Sequence, residues 1–582
     1  MDYIRLENIT KTFGDVVAND DVSFSIEKGE VLSILGENGS GKTTLLNVLG
    51  GIYRQDHGHV YINGEEAFIF SPKDAYGYGI GMVHQHYQLV EAFSAIENIV
   101  LGLTRKELLA IYNRFEEGEV HKGFRHCRLK DSAKHVLAMC ERYGFVFHPD
   151  KIVHDMSIAE KQTLEIIKAL FRGVDTLILD EPTAVLTPQE TAHLFTVVKN
   201  MRSDGKTIII ITHKLNEVME ISDRVVIMRK GKYIGVIPTK EATEASLAEM
   251  MVGGKVDLDI HRSDVPTTGE RLVVTHLNVR DREGRLALDD ASFTLHGSEI
   301  LGIAGVSGSG QRELLEAIAG LARDKDGSLV FHNPKKERPV TFFHKDIKQI
   351  RALAAKGAFH WKDGTPCDLT SFSNKQIVEK VQNEEIIFYE DEIFDLSNKS
   401  PLEIRDLGIK LSFVPEDRLG MGLVGGMDLV DNMLLRSFRK GKGRILKKER
   451  SADLAHHIVE ELDVKTPSLA TPIRSLSGGN IQKVLVGREI SSHPKILMVA
   501  YPVRGLDIQS SYTIYRLLDE QKVAGSAVIY VGEDLDALIG LTDRILVLCD
   551  GKVAGIVDSR KVTKEQVGLL MSGKTIEGGV QA

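Results

Sequence analysis

The feature that most constrains this chain is that its grammar is written twice. The segment "IEKGEVLSILGENGSGKTTLL" aligns with "LHGSEILGIAGVSGSGQRELL" at an offset of 269, Glu30 falling on Glu299 and Gly36 on Gly305. Further on, "MSIAEKQTLEIIKAL" aligns with "LSGGNIQKVLVGREI", "DTLILDEPTAVLTP" with "KILMVAYPVRGLDI" and "SDRVVIMRKGKYIG" with "TDRILVLCDGKVAG". These pairs share an offset of 320, as in Ser157/Ser477, Asp180/Ala500 and Gly231/Gly551. A constant offset that jumps once, here from 269 to 320, marks a duplicated unit with about 51 residues inserted into one copy. The sequence therefore predicts two domains, 1–255 and 268–582, joined by a polar linker at 256–267, with the insertion at about 331–390. A length of 582 residues agrees with more than one domain.

Within each copy, short apolar runs such as "EVLSILG", "DTLILD" and "TIIIIT" read as buried strands. They alternate with helical segments such as "GKTTLLNVLGGI" and "PQETAHLFTVVKNM". That alternation predicts an α/β fold on mostly parallel sheets. The longer helical periodicity between His86 and Met156 predicts a helical subdomain. A formal net charge of -9 argues against a general nucleic-acid binder. The four cysteines (Cys127, Cys140, Cys367, Cys549) form no C-x-x-C and so support neither a zinc knuckle nor an iron–sulfur cluster. No secretory leader and no apolar run of bilayer length is present, so any membrane role is expected to run through a partner.

The first copy carries nucleotide chemistry. "GENGSGKTT", which is Gly36, Glu37, Asn38, Gly39, Ser40, Gly41, Lys42, Thr43 and Thr44, satisfies G-x-x-x-x-G-K-[ST] between a predicted strand and a predicted helix. The glycines let backbone N–H groups converge on phosphate oxygens, Lys42 supplies a cation to the β/γ-phosphates, and the Thr43 hydroxyl suits Mg2+. "LILDEP" ends a strand in Asp180, for the metal, and Glu181, to polarise an attacking water. "IIIITHK" puts His213 at another strand end, where an imidazole can bond the γ-phosphate. Alone, His213 reads as structural and Gln85, in "MVHQHYQLV", as surface; the constellation raises both.

The set "GENGSGKTT", "LILDEP" and "IIITHK" in the first copy with "LSGGN" in the second resembles the ATP-binding subunit of an ABC transporter over nearly the whole chain outside the insertion. The resemblance implies two tandem P-loop NTPase domains that pair head to tail, each with a helical subdomain, binding ATP and Mg2+ between one phosphate loop and the other domain's signature loop. It implies that Phe13 stacks on adenine and that Gln85 lies where nucleotide state couples to the membrane partner. One composite site would then join Lys42, Thr43, Asp180, Glu181, Gln85 and His213 to Ser477, Gly478 and Gly479. The other has Gln311 and Arg312 for the lysine and hydroxyl, Ala500 and Tyr501 for the acidic pair, Glu533 for the histidine and Glu416 for the glutamine. Facing it, "MSIAE" loses the signature glycines at Ile158 and Ala159, and Glu160 brings negative charge towards phosphate. Site one is expected to hydrolyse ATP and site two not to turn over. Whether site two holds nucleotide stays open.

Two fused domains without membrane spans resemble the energy subunits of bacterial simple-sugar and nucleoside importers. "MVHQHYQLVEAFSAIENIVLG", "GIAGVSGSGQRELLEAI" and "VPEDRLGMGLV" are closer to the nucleoside branch. The implied partners are two permease subunits and an extracytoplasmic substrate-binding protein, with the chain peripheral at the cytoplasmic face and touching the membrane only through the permeases. The alternatives are a ribose- or galactose-type importer and, less well supported by a short linker and one degenerate site, a tandem ABC protein acting on ribosomes. The insertion reads best as a surface elaboration, with a partner or regulatory contact as the other reading, and "EEIIFYEDEIFDL" within it as a strand pair.

Overall fold

The computed structural model describes residues 2–574 apart from 85–86, 116–128, 184–185, 213, 256–257, 282, 307, 323–324, 334–337, 340–358, 362–366, 368, 370, 384, 389–391, 414–421, 436–437, 439–447, 492–493, 505 and 533. Each copy builds the same two sheets. In the first, a six-stranded sheet runs Lys232–Pro238, Arg224–Arg229, Val31–Leu35, Thr207–Ile211, Thr176–Asp180, Ile80–Val83. In the second, the equivalent order is Lys552–Asp558, Arg544–Cys549, Ile300–Gly305, Ala527–Val531, Ile496–Ala500, Ile409–Phe413. Five strands of each are parallel and one outer strand is antiparallel. The central strands are buried along their whole length, which is why they read as unbroken apolar runs rather than alternating ones. An antiparallel four-stranded sheet covers one side in each copy, and helices Ala95–Val100, Arg105–Phe115 and Leu129–Tyr143 supply the expected helical layer of the first.

The residues that hold the sheets are duplicated along with them. Arg224 donates from Nε and Nη2 to Glu30 at 2.8 and 2.9 Å, and from Nη2 to the Ser25 carbonyl at 2.8 Å. In the second copy Arg544 Nε donates to Glu299 at 2.6 Å and Nη2 to the Thr294 carbonyl at 2.7 Å. Asp223 and Asp543 accept from the first amides of the phosphate-loop strands, Val31 and Ile300, at 2.9 Å each. Glu299 is 1% exposed, so removing its cation leaves a buried carboxylate short of a partner. Arg544→Ala is therefore expected to destabilise the second copy by roughly 3 kcal/mol, read as a lower urea midpoint with the first copy's transition unmoved.

The inserted residues grow from one hairpin. Strand Lys325–Asn333 pairs with Glu392–Asp395, closing at Asn333 and Glu392, and the chain between them carries a separate three-stranded sheet. The expected strand pair is corrected here. Ile386–Phe388 and Glu392–Asp395 are both strands, but the first belongs to the small sheet and the second to the large one. Alternation specifies a strand and not its partner.

The polar segment between the copies is bound to the second copy at Ile260 and Ser263. Ser263 donates from its amide and hydroxyl to Asp519 at 2.9 and 2.5 Å, and its carbonyl accepts from Lys522 Nζ at 2.8 Å. Lys522 is fully buried and also donates to Asp543 at 2.7 Å, while Ile260 packs against the second copy's core. Ser263, which reads as part of a polar linker, is a partner of an ordered surface.

The copies meet through equivalent elements. Helix Pro188–Ser203 packs on Lys564–Met571, and Ile508–Val523 packs on Glu244–Val252, each pair related to the other by the 320-residue offset. Gln189 Nε2 donates to the Glu565 carbonyl at 2.9 Å, and Asn216 Nδ2 to Asp536 Oδ2 at 3.1 Å. Asn216 and Asp536 are themselves 320 apart, so a pseudo-two-fold axis passes between them, as in an isologous dimer. Among the described residues, no helix is long and apolar enough to cross a membrane.

Candidate functional site

Parallel strands release their C-terminal ends on one edge, where ligands of open α/β sheets bind. Strand Val31–Leu35 delivers the glycine loop there, Thr207–Ile211 lies beside it, and Thr176–Asp180 comes next, with Asp180 in register with Ile211. Gly41, at φ 93°, caps helix Lys42–Leu49 in a left-handed conformation, and a Cβ there would overlap the Ala18 carbonyl. Gly36 has no room for a Cβ against the Met228 carbonyl and the Ser40 hydroxyl. The loop is thus a tight backbone cradle at a helix N-terminus.

Lys42 is 6% exposed and donates from Nζ to the carbonyls of Gly36 and Glu37 at 2.6 and 3.0 Å. Burial lowers its pKa, and the carboxylates of Glu181 and Asp180 oppose that. Asp180 is pushed up to about 6, first by burial and then by Glu181, against the pull of Lys42 and a hydrogen bond from the Thr43 hydroxyl. The Ser40 hydroxyl is buried without a hydrogen-bond partner among the described residues. An orphaned hydroxyl in a glycine cradle, with one cation and a hydroxyl–carboxylate pair beside it, fits a nucleotide's phosphates and the hard cation that accompanies them. Glu181 takes a left-handed conformation at φ 48°, its amide donating to the Ile211 carbonyl at 2.9 Å. Asn38 and Gly39 are exposed at the loop's tip, and Thr44 lies half-buried beside Thr43. Phe13 ends strand Asp2–Phe13 and is exposed.

The second copy keeps the backbone and changes the chemistry. Gly310 caps helix Gln311–Ile318 at φ 98°. Gln311, 5% exposed, donates from Nε2 to the Val306 carbonyl at 3.0 Å, the bond that Lys42 makes to Glu37. It fills the lysine's place without the charge. Arg312 donates from Nε along its own helix to Glu316 at 2.7 Å. Tyr501 repeats the left-handed turn of Glu181, at φ 53° with its amide on the Val531 carbonyl at 2.8 Å. That turn belongs to the fold; the carboxylate belongs to the chemistry.

The signature helices differ as well. Ser477 caps helix Gly478–Ile490, accepting from the Asn480 amide, and Gly478 and Gly479 open its first turn. In the first copy Ser157 caps Ile158–Phe171, but there Glu160 folds back to accept from the Ser157 amide at 2.8 Å and from Lys151 Nζ at 2.7 and 2.8 Å. The carboxylate of Glu160, expected to bring negative charge towards phosphate, is thus paired with Lys151 at the start of this helix. Between copies, Asp507, which caps Ile508–Val523, is near enough to Glu37 to help raise its pKa after burial. Gln85, His213, Glu416 and Glu533 lie outside the described residues. The contact residues Gln189 and Asn216 were not singled out by sequence; the shared offset of Asn216 and Asp536 was the available signal.

A protein-family model described as ABC transporter matches residues 19–184. The nucleoside import ATP-binding protein NupA of Lactococcus lactis subsp. cremoris is 35% identical, with 98% of each chain covered. The guanosine import ATP-binding protein NupO of Bacillus subtilis is 36% identical over 99% of this chain and 98% of its own. The ribose import ATP-binding protein RbsA of Clostridium tetani is 31% identical over 97% and 96%. A solved nucleotide-free ATP-binding cassette from an ABC transporter is 29% identical, covers 41% of this chain and 92% of its own, and has a TM-score of 0.34.

Proposed function

The chain belongs to the ABC transporter family of import ATP-binding proteins, ATPases coupled to import, and from that membership we propose that it energises nucleoside uptake through one hydrolytic composite site. The two domains are taken as 1–255 and 268–582 joined by 256–267. The observation that carries the one-site reading is the contrast between copies: the same cradle holds Lys42, Thr43, Asp180 and Glu181 in the first, and Gln311, Arg312, Ala500 and Tyr501 in the second.

Site one pairs the first copy's cradle with Ser477, Gly478 and Gly479. Gly36 to Thr44 cradle the phosphates of ATP, with Lys42 on the β/γ oxygens. Thr43, Asp180 and Gln85 hold Mg2+, which when bound offsets the phosphates' charge. Glu181 accepts the proton of the attacking water, His213 bonds the γ-phosphate, and Phe13 stacks on adenine. The amides at the Ser477 helix start clamp the γ-phosphate. Site two has no cation at the lysine position and no acid at the strand end, which leaves it little means of stabilising a transferring phosphoryl group.

Two permeases and an extracytoplasmic binding protein complete the transporter, and the chain works at the cytoplasmic face through them. The nucleoside reading is supported by full-length similarity of 35–36% to nucleoside and guanosine import proteins, against 31% to a ribose one. Uptake of radiolabelled nucleoside, ribose and galactose by the reconstituted complex tests it. ATP-dependent nucleoside uptake is expected, and uptake of a sugar alone overturns it.

A further inference from the structure

The Phe13 ring is not alone at its strand end. Tyr53, on the loop that follows helix Lys42–Leu49, meets it edge-on, with ring centroids 5.2 Å apart and planes at 73°. Both rings keep exposed surface, 45% for Phe13 and 36% for Tyr53, so together they form an open aromatic corner. The Tyr53 amide donates to the Asn47 carbonyl at 3.0 Å, which ties this loop to the phosphate-loop helix.

Three residues on, Asp56 clamps the other side of the corner. Its carboxylate accepts from Lys11 Nζ at 2.9 Å, the Thr12 amide at 2.7 Å and the Thr12 hydroxyl at 2.8 Å. Its own amide donates to the Thr10 carbonyl at 2.8 Å. Lys11 Nζ then sits 5.4 Å from the Phe13 ring centroid. One short loop thus fixes both the strand end that carries Phe13 and the ring set against it.

The duplication supplies an internal control. By the 269-residue offset, Gly51 and Gly58 become Gly320 and Gly327, which keep left-handed conformations, so the loop's turns persist. Tyr53 becomes Ala322 and Asp56 becomes Lys325, whose ammonium donates to the Ala317 carbonyl at 3.1 Å. The first strand runs one residue short of that offset, Leu6 opposite Phe24 matching Val274 opposite Phe293, so position 13 becomes Asp281. Ring, partner ring and clamp are all absent from the copy that lacks the hydrolytic residues, although its strands Glu270–Arg280 and Leu286–His296 still pair. What the fold does without in one copy is kept in the other for a ligand.

We propose that Tyr53 is a second nucleobase-binding residue, forming with Phe13 an aromatic corner for the base of the nucleotide, and that Asp56 is the positioning residue that holds it. This rests on the reading that the first copy's loop is the hydrolytic site. A flat purine gains stacking and edge contacts in such a corner, whereas a ligand made only of phosphate gains nothing.

The test uses the full chain assembled with its permeases. It measures KM and kcat for ATP and inhibition by inorganic tripolyphosphate, in Phe13→Ala, Tyr53→Ala, Tyr53→Phe and Asp56→Asn. Tyr53→Ala is expected to raise the KM for ATP by about tenfold with kcat within about twofold, and to leave tripolyphosphate inhibition unchanged. Tyr53→Phe restores the KM, and Asp56→Asn raises it by a few-fold. A normal KM in Tyr53→Ala while Phe13→Ala raises it overturns the proposal alone. A parallel loss of tripolyphosphate binding in Tyr53→Ala also overturns it, because the residue would then merely support the phosphate loop. If Phe13→Ala leaves the KM unchanged, the base platform of site one fails and takes the proposal with it.

Discussion

Glu181→Gln in the assembled transporter is expected to lower ATP turnover by about 10²- to 10⁴-fold while leaving nucleotide binding in place. The substitution keeps the side chain's volume, and the left-handed turn is held by the amide's bond to the Ile211 carbonyl rather than by the carboxylate. What is lost is the group that takes a proton from water. Lys42→Ala is expected to lower turnover by a comparable factor through a different route, because a buried cation bonded to the loop's own carbonyls disappears from beside the phosphates. Gln311→Ala, at the equivalent place in the second copy, is expected to leave turnover within about twofold, since its amide donates to the Val306 carbonyl there and adds no charge. Steady-state phosphate release from the three complexes decides the matter. Near-normal hydrolysis in Glu181→Gln would sink the one-site mechanism, and a large loss in Gln311→Ala would show that the second loop takes part in turnover.

The parts of this architecture that were legible in the sequence are those with a local code. A buried parallel strand must be apolar throughout, so "LILD" and "IIIIT" announced themselves. A loop that wraps phosphate needs glycine where a Cβ would strike backbone, as at Gly36 and Gly41. The internal repeat then separated fold from chemistry without any outside comparison. Arg224–Glu30 and Arg544–Glu299 recur because both sheets need them, whereas Asp180–Glu181 and Ala500–Tyr501 do not match. What escaped the sequence depends on partners distant along the chain. The segment at 256–267 reads only as a polar linker until Asp519 and Lys522 are brought to Ser263. The sequence shows the charge of Glu160 but not Lys151, which pairs with it from nine residues upstream. Tyr53 carries no motif, and its meaning comes from a ring forty residues upstream.

The second large effect is expected from a residue far from the intact loop in sequence. Gly479→Asp should reduce ATP turnover about 100-fold or more, although it leaves Lys42, Asp180 and Glu181 untouched. The helix that Gly479 opens has no acidic residue in its first turn, so its amide-rich start is free to face an anion. A carboxylate built onto that start competes with phosphate for the same field. Sterics do not explain such a loss in advance: a Cβ on Gly479 would meet only Leu506, at 3.8 Å, an ordinary contact. The matched substitution in the first copy, Ala159→Asp, adds its charge to a helix start that already carries Glu160 and Lys151, opposite a site expected to be silent. It should therefore change turnover by less than about threefold. Equal losses from the two aspartates would mean that the signature helices contribute alike, and the head-to-tail assembly of one working site would be wrong. A loss confined to Gly479→Asp requires that the copy with the retired loop completes the site of the other. That requirement explains why a copy unable to hydrolyse ATP keeps its "LSGG" while its lysine and acidic pair have gone.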